Sequence, residues 1–181
     1  MSAPTGASAG PAWQVRAVEP AQAERLSGLM RQCFLAAYAQ ASSADNVQAH
    51  LQRHYTPQRQ AQELADPGLL SLVLERNAAW AGFAQLRCGG APGEGAQPGD
   101  AEVARFYLLP VFHGSGLAAQ LMQALREAAR ARGAGGLWLS VWQRAKQAQR
   151  FYAKQGFQRV GKAVFRMGED AQDDWILRAP L

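Results

Sequence analysis

Cysteine is scarce in this chain of 181 residues, with Cys33 and Cys88 alone and no C-x-x-C spacing between them. Two isolated thiols cannot build a disulfide framework or the ligand pairs of a structural zinc site, so they read as free thiols of a reducing compartment. Long apolar runs are also missing: no stretch reaches the roughly 18 consecutive apolar residues that a membrane-spanning helix needs. The opening segment, MSAPTGASAGPA, has neither a basic start nor a Leu-rich stretch. It is read as a flexible tail over residues 1–12 and not as a secretion signal, and the cytoplasm is the expected location. Acidic residues have their own gap, with none between Glu127 and Glu169.

That gap is matched by an excess of the opposite sign. The formal net charge is +5, but residues 103–168 hold 11 basic and 1 acidic side chains, while residues 1–102 hold 7 basic and 9 acidic. Residues 169–181 hold 1 basic and 4 acidic. The positive charge therefore belongs to one segment, and an anionic partner is expected there. With 48% hydrophobic and 18% charged residues the chain has enough apolar material for a core, which excludes global disorder.

Hydrophobic periodicity gives the order of elements. Trp13 to Val18 alternates as a strand, and Ala21 to Gln40 has helical spacing through Leu26, Leu29, Met30, Cys33, Phe34, Ala37 and Tyr38. Asn46 to Tyr55 reads as a short helix, and Thr56-Pro57 supplies the cap and first residue of another. Leu69–Glu75 and Ala79–Arg87 form a hairpin, followed by a Gly/Pro-rich loop over 88–100 that is expected to be mobile. A strand over Ala101–Leu109, a helix over Leu117–Arg132, a strand over Gly136–Val141 and a helix over Lys146–Gln155 come next. Strands over Phe157–Phe165 and Asp174–Arg178 finish an α+β domain expected to span residues 13–181.

The segment His113-Gly114-Ser115-Gly116-Leu117-Ala118 joins a strand to a helix. Such a turn leaves backbone N–H groups unpaired at the positive end of the helix dipole, which suits a phosphate, and Gly114 and Gly116 keep Cβ atoms out of the way. Gly114-Ser-Gly116-Leu-Ala-Ala119 also fits the dinucleotide fingerprint, but that reading needs an acidic residue about 20 positions on, where none exists. The Walker pattern fails because no Gly-Lys-Ser/Thr follows.

A strand, His-Gly-x-Gly-x-Ala and a helix, a further strand, and then Ala148-x-x-Phe151-Tyr152-x-x-x-Gly156-Phe157 resembles the GNAT N-acetyltransferase superfamily. The likeness is specific from about Glu102 onward and rests on element order alone from Trp13. It implies the acyl-CoA N-acyltransferase fold, a mixed, mostly antiparallel sheet of about seven strands with flanking helices. It also implies acetyl-CoA as cosubstrate, no metal, and acetyl transfer to the primary amine of a small molecule. Trp138-Leu-Ser-Val-Trp142 and Val160-Gly161…Phe165-Arg-Met-Gly168-Glu-Asp170…Asp174-Trp-Ile look like the polyamine acetyltransferase branch, also described as regulating sporulation and protease synthesis. Alternatives are a lysine or N-terminal protein acetyltransferase and, in another class, a non-catalytic acetyl-CoA-binding or DNA-binding regulator. Nucleic acid is disfavoured because no helix-turn-helix signature is present. The superfamily commonly dimerises, so a homodimer is one expectation.

The resemblance assigns roles by position. Glu102 stands where many relatives carry a general base acting through water, and Tyr152 stands where they carry the acid that protonates the departing thiolate. The backbone around Tyr107, Leu108 and Leu109 would pair with pantetheine, with the Leu108 N–H polarising the thioester. The amides of His113, Gly114, Ser115, Gly116, Leu117 and Ala118 would hold the pyrophosphate, with Phe151, Arg144, Lys146 and Lys154 (and Arg150 beside them) around the rest of the cofactor. The chain departs from the family in having His113 where Arg is frequent, and Ala145 where an Asn is usual. Arg126, Arg130 and Arg132 read as a solvated helix face, and Glu169, Asp170, Asp173 and Asp174 as a solvated loop. His50 and His54 have i, i+4 spacing but lack a third ligand, so they and Tyr55 are expected to contact the acceptor.

Overall fold

The computed structural model describes residues 12–168 and 170–181; residues 1–11 of the expected tail, and Glu169, lie outside them. β1 (Gln14–Ala17) leads through a short 3-10 turn to α1 (Ala23–Tyr38), α2 (Ala44–His54) and α3 (Pro57–Ala65). The Ser43 and Thr56 hydroxyls accept from the amides of Asn46 and Arg59, so each short helix opens with a side-chain cap. β2 (Leu69–Arg76) and β3 (Ala79–Arg87) form the hairpin, turning through Asn77 and Ala78, both with φ near +50° to +60°. Left-handed backbone at both central residues gives the twist that two-residue hairpins favour.

β4 (Ala101–Leu108), α4 (Leu117–Ala131), β5 (Gly136–Trp142), α5 (Lys146–Lys154), β6 (Gln158–Met167) and β7 (Asp170–Pro180) complete the chain. The seven strands lie in the order β1-β2-β3-β4-β5-β7-β6, antiparallel throughout except for β4 beside β5. This is the mixed, mostly antiparallel sheet that the resemblance implied. Among the described residues no helix is long and apolar enough to cross a membrane.

Side-chain alternation assigns the two faces. Leu72, Leu74, Leu137, Leu139 and Val141 pack with Leu121 and Leu125 of α4 and with Tyr152 of α5. Val73 and Phe83 point the other way, into a second cluster with Leu26, Met30 and Phe34 of α1 and Leu51 of α2. Burying Phe34 or Leu121 contributes about 1.5–3 kcal/mol each, which fixes which face each helix covers.

The Gly/Pro-rich segment 88–100 lies against β5, β6 and β7. Gly95 has φ +76°, and a Cβ there would collide with the Val160 carbonyl. Asp100 closes the segment, accepting from the Gln97 amide at 2.8 Å and from Arg178 Nε and Nη2 of β7 at 2.6 and 3.0 Å. β7 begins at Asp170 and not at Asp174, so the expected solvated loop is a correction. Asp170, Asp173 and Asp174 are strand residues, and alternation sends Asp174 inward.

Candidate active site

Leu109-Pro110 ends β4, and the chain turns through His113 to Gly116 into α4. Gly114 has φ +77° and Gly116, the N-cap, φ +85°, a region that costs other residues about 1 kcal/mol or more. The expectation that six consecutive amides face an anion is narrowed. The His113 N–H already donates to Pro110 O at 3.0 Å and Ser115 N–H to Phe112 O at 3.4 Å. Leu117 N–H has only a 3.5 Å contact with Ser115 Oγ. The amides of Gly114, Gly116 and Ala118 make no hydrogen bond among the described residues. They lie at the positive end of a 15-residue helix, an arrangement that can take an anion.

Beside the turn the sheet comes apart. β4 and β5 pair over two positions alone, Ala101 with Leu137 and Glu102 with Trp138. Beyond them β4 runs on to Leu108 and β5 to Trp142 without partners on the facing edges, so a wedge opens between the strands. A register shift beside Gln85 and Leu86 leaves Ala104 as an extra residue in β4 and bends the strand there.

Which groups line the wedge follows from the hydrogen-bond pattern of an antiparallel pair. Leu109 N–H donates to Ala81 O at 2.9 Å, so Tyr107, opposite Phe83, also bonds toward β3. Phe106 and Leu108 turn their N–H and C=O groups toward β5 and the wedge. The expected pairing through Tyr107 and Leu109 is therefore corrected: their amides belong to β3, while Leu108 keeps its place and Phe106 joins it. Phe106 was legible in principle, since it shares Leu108's strand parity. His113, which replaces the frequent Arg, places Nε2 3.1 Å from the Leu108 carbonyl and ties the turn to the strand.

α5 lies across the wedge. Phe151 stacks on Phe106 with centroids 5.5 Å apart, and Tyr152 meets the same ring edge-on at 6.2 Å. Tyr152 is a buried residue whose hydroxyl makes no hydrogen bond among the described residues, and burial, helped by Tyr38, pushes its pKa far up. It stays protonated and can only donate a proton near neutral pH. The start of α5 lacks a capping side chain at Ala145; Gln149 ties it instead, donating to the carbonyls of Trp142 and Gln143, each at 2.9 Å. Arg144, Lys146, Arg150 and Lys154 are exposed and make no ion pair among the described residues. Arg126 corrects the reading of a solvated helix face, because its guanidinium holds the carbonyls of Gln155 at 2.5 Å and Pro180 at 3.2 Å.

Glu102 sits at the closed end of the wedge, with Arg87 Nε 3.8 Å from its carboxylate. Burial raises its pKa, opposed by Arg87 and Arg105, so it is a better base than an exposed carboxylate. Four residues separate it from Phe106, about 13 Å of strand, so only a chain of several waters could link it to anything held there.

The opposite sheet face carries α1 and α2. His50 stacks on Phe34 at 4.6 Å and lies 4.4 Å from His54, centroid to centroid. Burial, then His54, Arg105 and Arg53, lower the His50 pKa from 6.5 to about 4, so it is neutral at pH 7. Tyr55 is buried against Phe34 and under Arg105, which leaves it as a wall and not as an exposed contact. Arg105 is held by Glu63 at 2.6 Å and by Gln85. Among the described residues no cluster of three His, Cys, Asp or Glu could hold a metal. A shallow hollow of about 410 Å³ is lined by Gln143, by Lys162 of β6 and by Asp173 and Trp175 of β7.

Comparison with known proteins places this geometry. Residues 29–157 match the model of the acetyltransferase (GNAT) family. An uncharacterized N-acetyltransferase of Mycobacterium tuberculosis is 32% identical over 155 residues, covering 86% of this chain and 95% of that one. One from Lactobacillus delbrueckii subsp. lactis is 29% identical over 153 residues, covering 84% and 88%. The PaiA N-acetyltransferase of Thermoplasma acidophilum, solved in complex with coenzyme A, shares the fold with a TM-score of 0.78 at 18% identity, over 94% of this chain and all of that one. Family match and identity together mean that the chain belongs to the acetyltransferase (GNAT) family and is an acetyl-CoA-dependent N-acetyltransferase.

Proposed function

We propose that the chain moves the acetyl group of acetyl-CoA to the primary amine of a small molecule, polyamines being the first class, by direct attack in a ternary complex. The observation that carries this reading is the wedge: Phe106 backbone and the Leu108 N–H without strand partners, a cradle of free amides at one end and a protonated tyrosine above. Pyrophosphate sits on Gly114, Gly116 and Ala118, pantetheine runs along β4, and Arg144, Lys146 and Lys154 meet the remaining phosphate. A backbone N–H of Phe106 or Leu108 stabilises the oxyanion as the amine nitrogen attacks the thioester carbon. The C–S bond breaks, the sulfur takes the Tyr152 proton, and the amine proton leaves through water to Glu102. A free ammonium, with pKa about 10, is not nucleophilic, which is why a base is needed.

The test is thiol release from acetyl-CoA against polyamines, amino acids, aminoglycosides and peptides, together with calorimetry of acetyl-CoA binding. Micromolar affinity and turnover with a small amine are expected. No heat at ~1 mM acetyl-CoA would sink the reading, and turnover with peptides alone would move it to a protein acetyltransferase.

A further inference from the structure

Asp174 is 7% exposed, and its Oδ2 accepts from Ser140 of the neighbouring strand. Its Oδ1 is buried without a hydrogen-bond partner among the described residues. An orphaned buried carboxylate oxygen is costly, so its surroundings matter. No Lys or Arg acts on it. Burial raises its pKa, with Asp173 adding to that and Ser140 opposing it. Tyr38 of α1 feels its charge, after the larger effect of burial.

Three aromatic side chains surround it from three elements. Trp142 of β5 is its partner in register. Phe165 of β6 lies diagonally across on the same face, paired with Gln172. Tyr38 lies over both, 6.4 Å from each ring centroid. All three rings are partly exposed. A carboxylate with one oxygen left without a donor, beside three aromatic rings, fits an alkylammonium: the carboxylate supplies charge and an aromatic ring can supply its negative face.

Position says which ammonium. The acyl carbon is proposed to lie at β4, and Asp174 lies beyond β5 on β7, further away than the roughly 10 Å of two paired strand spacings because the wedge parts β4 from β5. The nitrogen at Asp174 is therefore not the one that attacks.

We infer that Asp174, beside Tyr38, Trp142 and Phe165, is a subsite for the second cationic group of the acceptor, so that the enzyme takes amines with another ammonium several bonds from the reacting nitrogen. This rests on the acetyltransferase reading above and adds an acceptor specificity to it.

The test measures KM and kcat by thiol release for 1,4-diaminobutane, the longer 1,6-diaminohexane and the neutral-tailed 4-aminobutan-1-ol. It uses the wild-type chain and the Asp174→Asn variant, with acetyl-CoA affinity measured on both. The wild type should show a KM at least about tenfold lower for the better diamine than for the amino alcohol, about 1.4 kcal/mol. Asp174→Asn should bring that ratio near one while acetyl-CoA affinity stays. Phe165→Leu keeps the carboxylate and should raise the diamine KM several-fold, and it stands in if the Asn variant fails to fold. Equal KM values in the wild type, or a variant that loses kcat with KM ratio intact, would overturn the subsite alone. Loss of acetyl-CoA binding and of all amine turnover in the wild type would instead take down the underlying reading.

Discussion

Tyr152 packs its ring among Phe106, Phe151 and Phe157, a setting that favours the neutral phenol over the anion. Such a group keeps its proton at neutral pH and so has one to give, and the phenolate left after donation must regain a proton, as the amine releases one, before the next turnover. Replacing it by Phe removes one oxygen and leaves the ring contacts in place. Tyr152→Phe should lower kcat by about 10²-fold, the low end for a general acid. Acetyl-CoA affinity from calorimetry should stay within about twofold, since the donor is proposed to rest on backbone and on exposed cations. Unchanged kcat would remove the acid role. Other residue assignments differ because their surroundings differ: Asp173 and Asp174 are chain neighbours, yet one is exposed and the other buried with an orphan oxygen.

At the scale of elements, the 88–100 segment shows how a composition reads and how it packs. Five glycines and two prolines announce a loop, and nothing in them announces what the loop touches. Gly95 is needed twice over, for its positive φ and for the Val160 carbonyl beside it. Gly95→Ala should destabilise the protein by about 1–3 kcal/mol. The check is a lower urea midpoint at unchanged slope. The helix boundaries, the hairpin and the strand–turn–helix at Gly116 were legible because caps, Gly and periodicity are local signals. The start of β7 was not, because acidic residues in a row resemble a solvated loop until strand pairing with Arg166 and Phe165 is known. For the same reason Arg126 looked free: its partners, Gln155 and Pro180, are remote in sequence. Which amides of the turn stay unpaired, and that Phe106 shares the wedge with Leu108, depend on tertiary pairing as well. Phe106 alone had a sequence clue, the period of two.

Over the whole molecule, charge is sorted along the chain. The segment with 11 basic residues and 1 acidic runs from β4 to β6 and includes α4 and α5, and the acidic flanks supply α1, α2, α3 and β7, the strand that carries Asp174. An anionic donor approaching α4 and α5 would therefore meet the basic segment. Raising the ionic strength from about 0.05 to 0.5 M should weaken acetyl-CoA binding several-fold, because the Debye length shrinks well below 10 Å. A Lys146→Gln/Lys154→Gln double variant should show a flatter salt dependence by calorimetry. Equal salt slopes would mean that these cations do not face the donor.

The two-position pairing of β4 with β5 carries a mechanical implication. A sheet joined so briefly is a seam, with β1–β4 on one side and β5–β7 on the other, and the aromatic stack of α5 is the patch laid across it. A ligand threaded along that seam would act as a missing strand, so donor binding and cohesion of the two halves become one event. Saturating donor would then mend the fold as well as feed the reaction, and the empty chain would part first along this line.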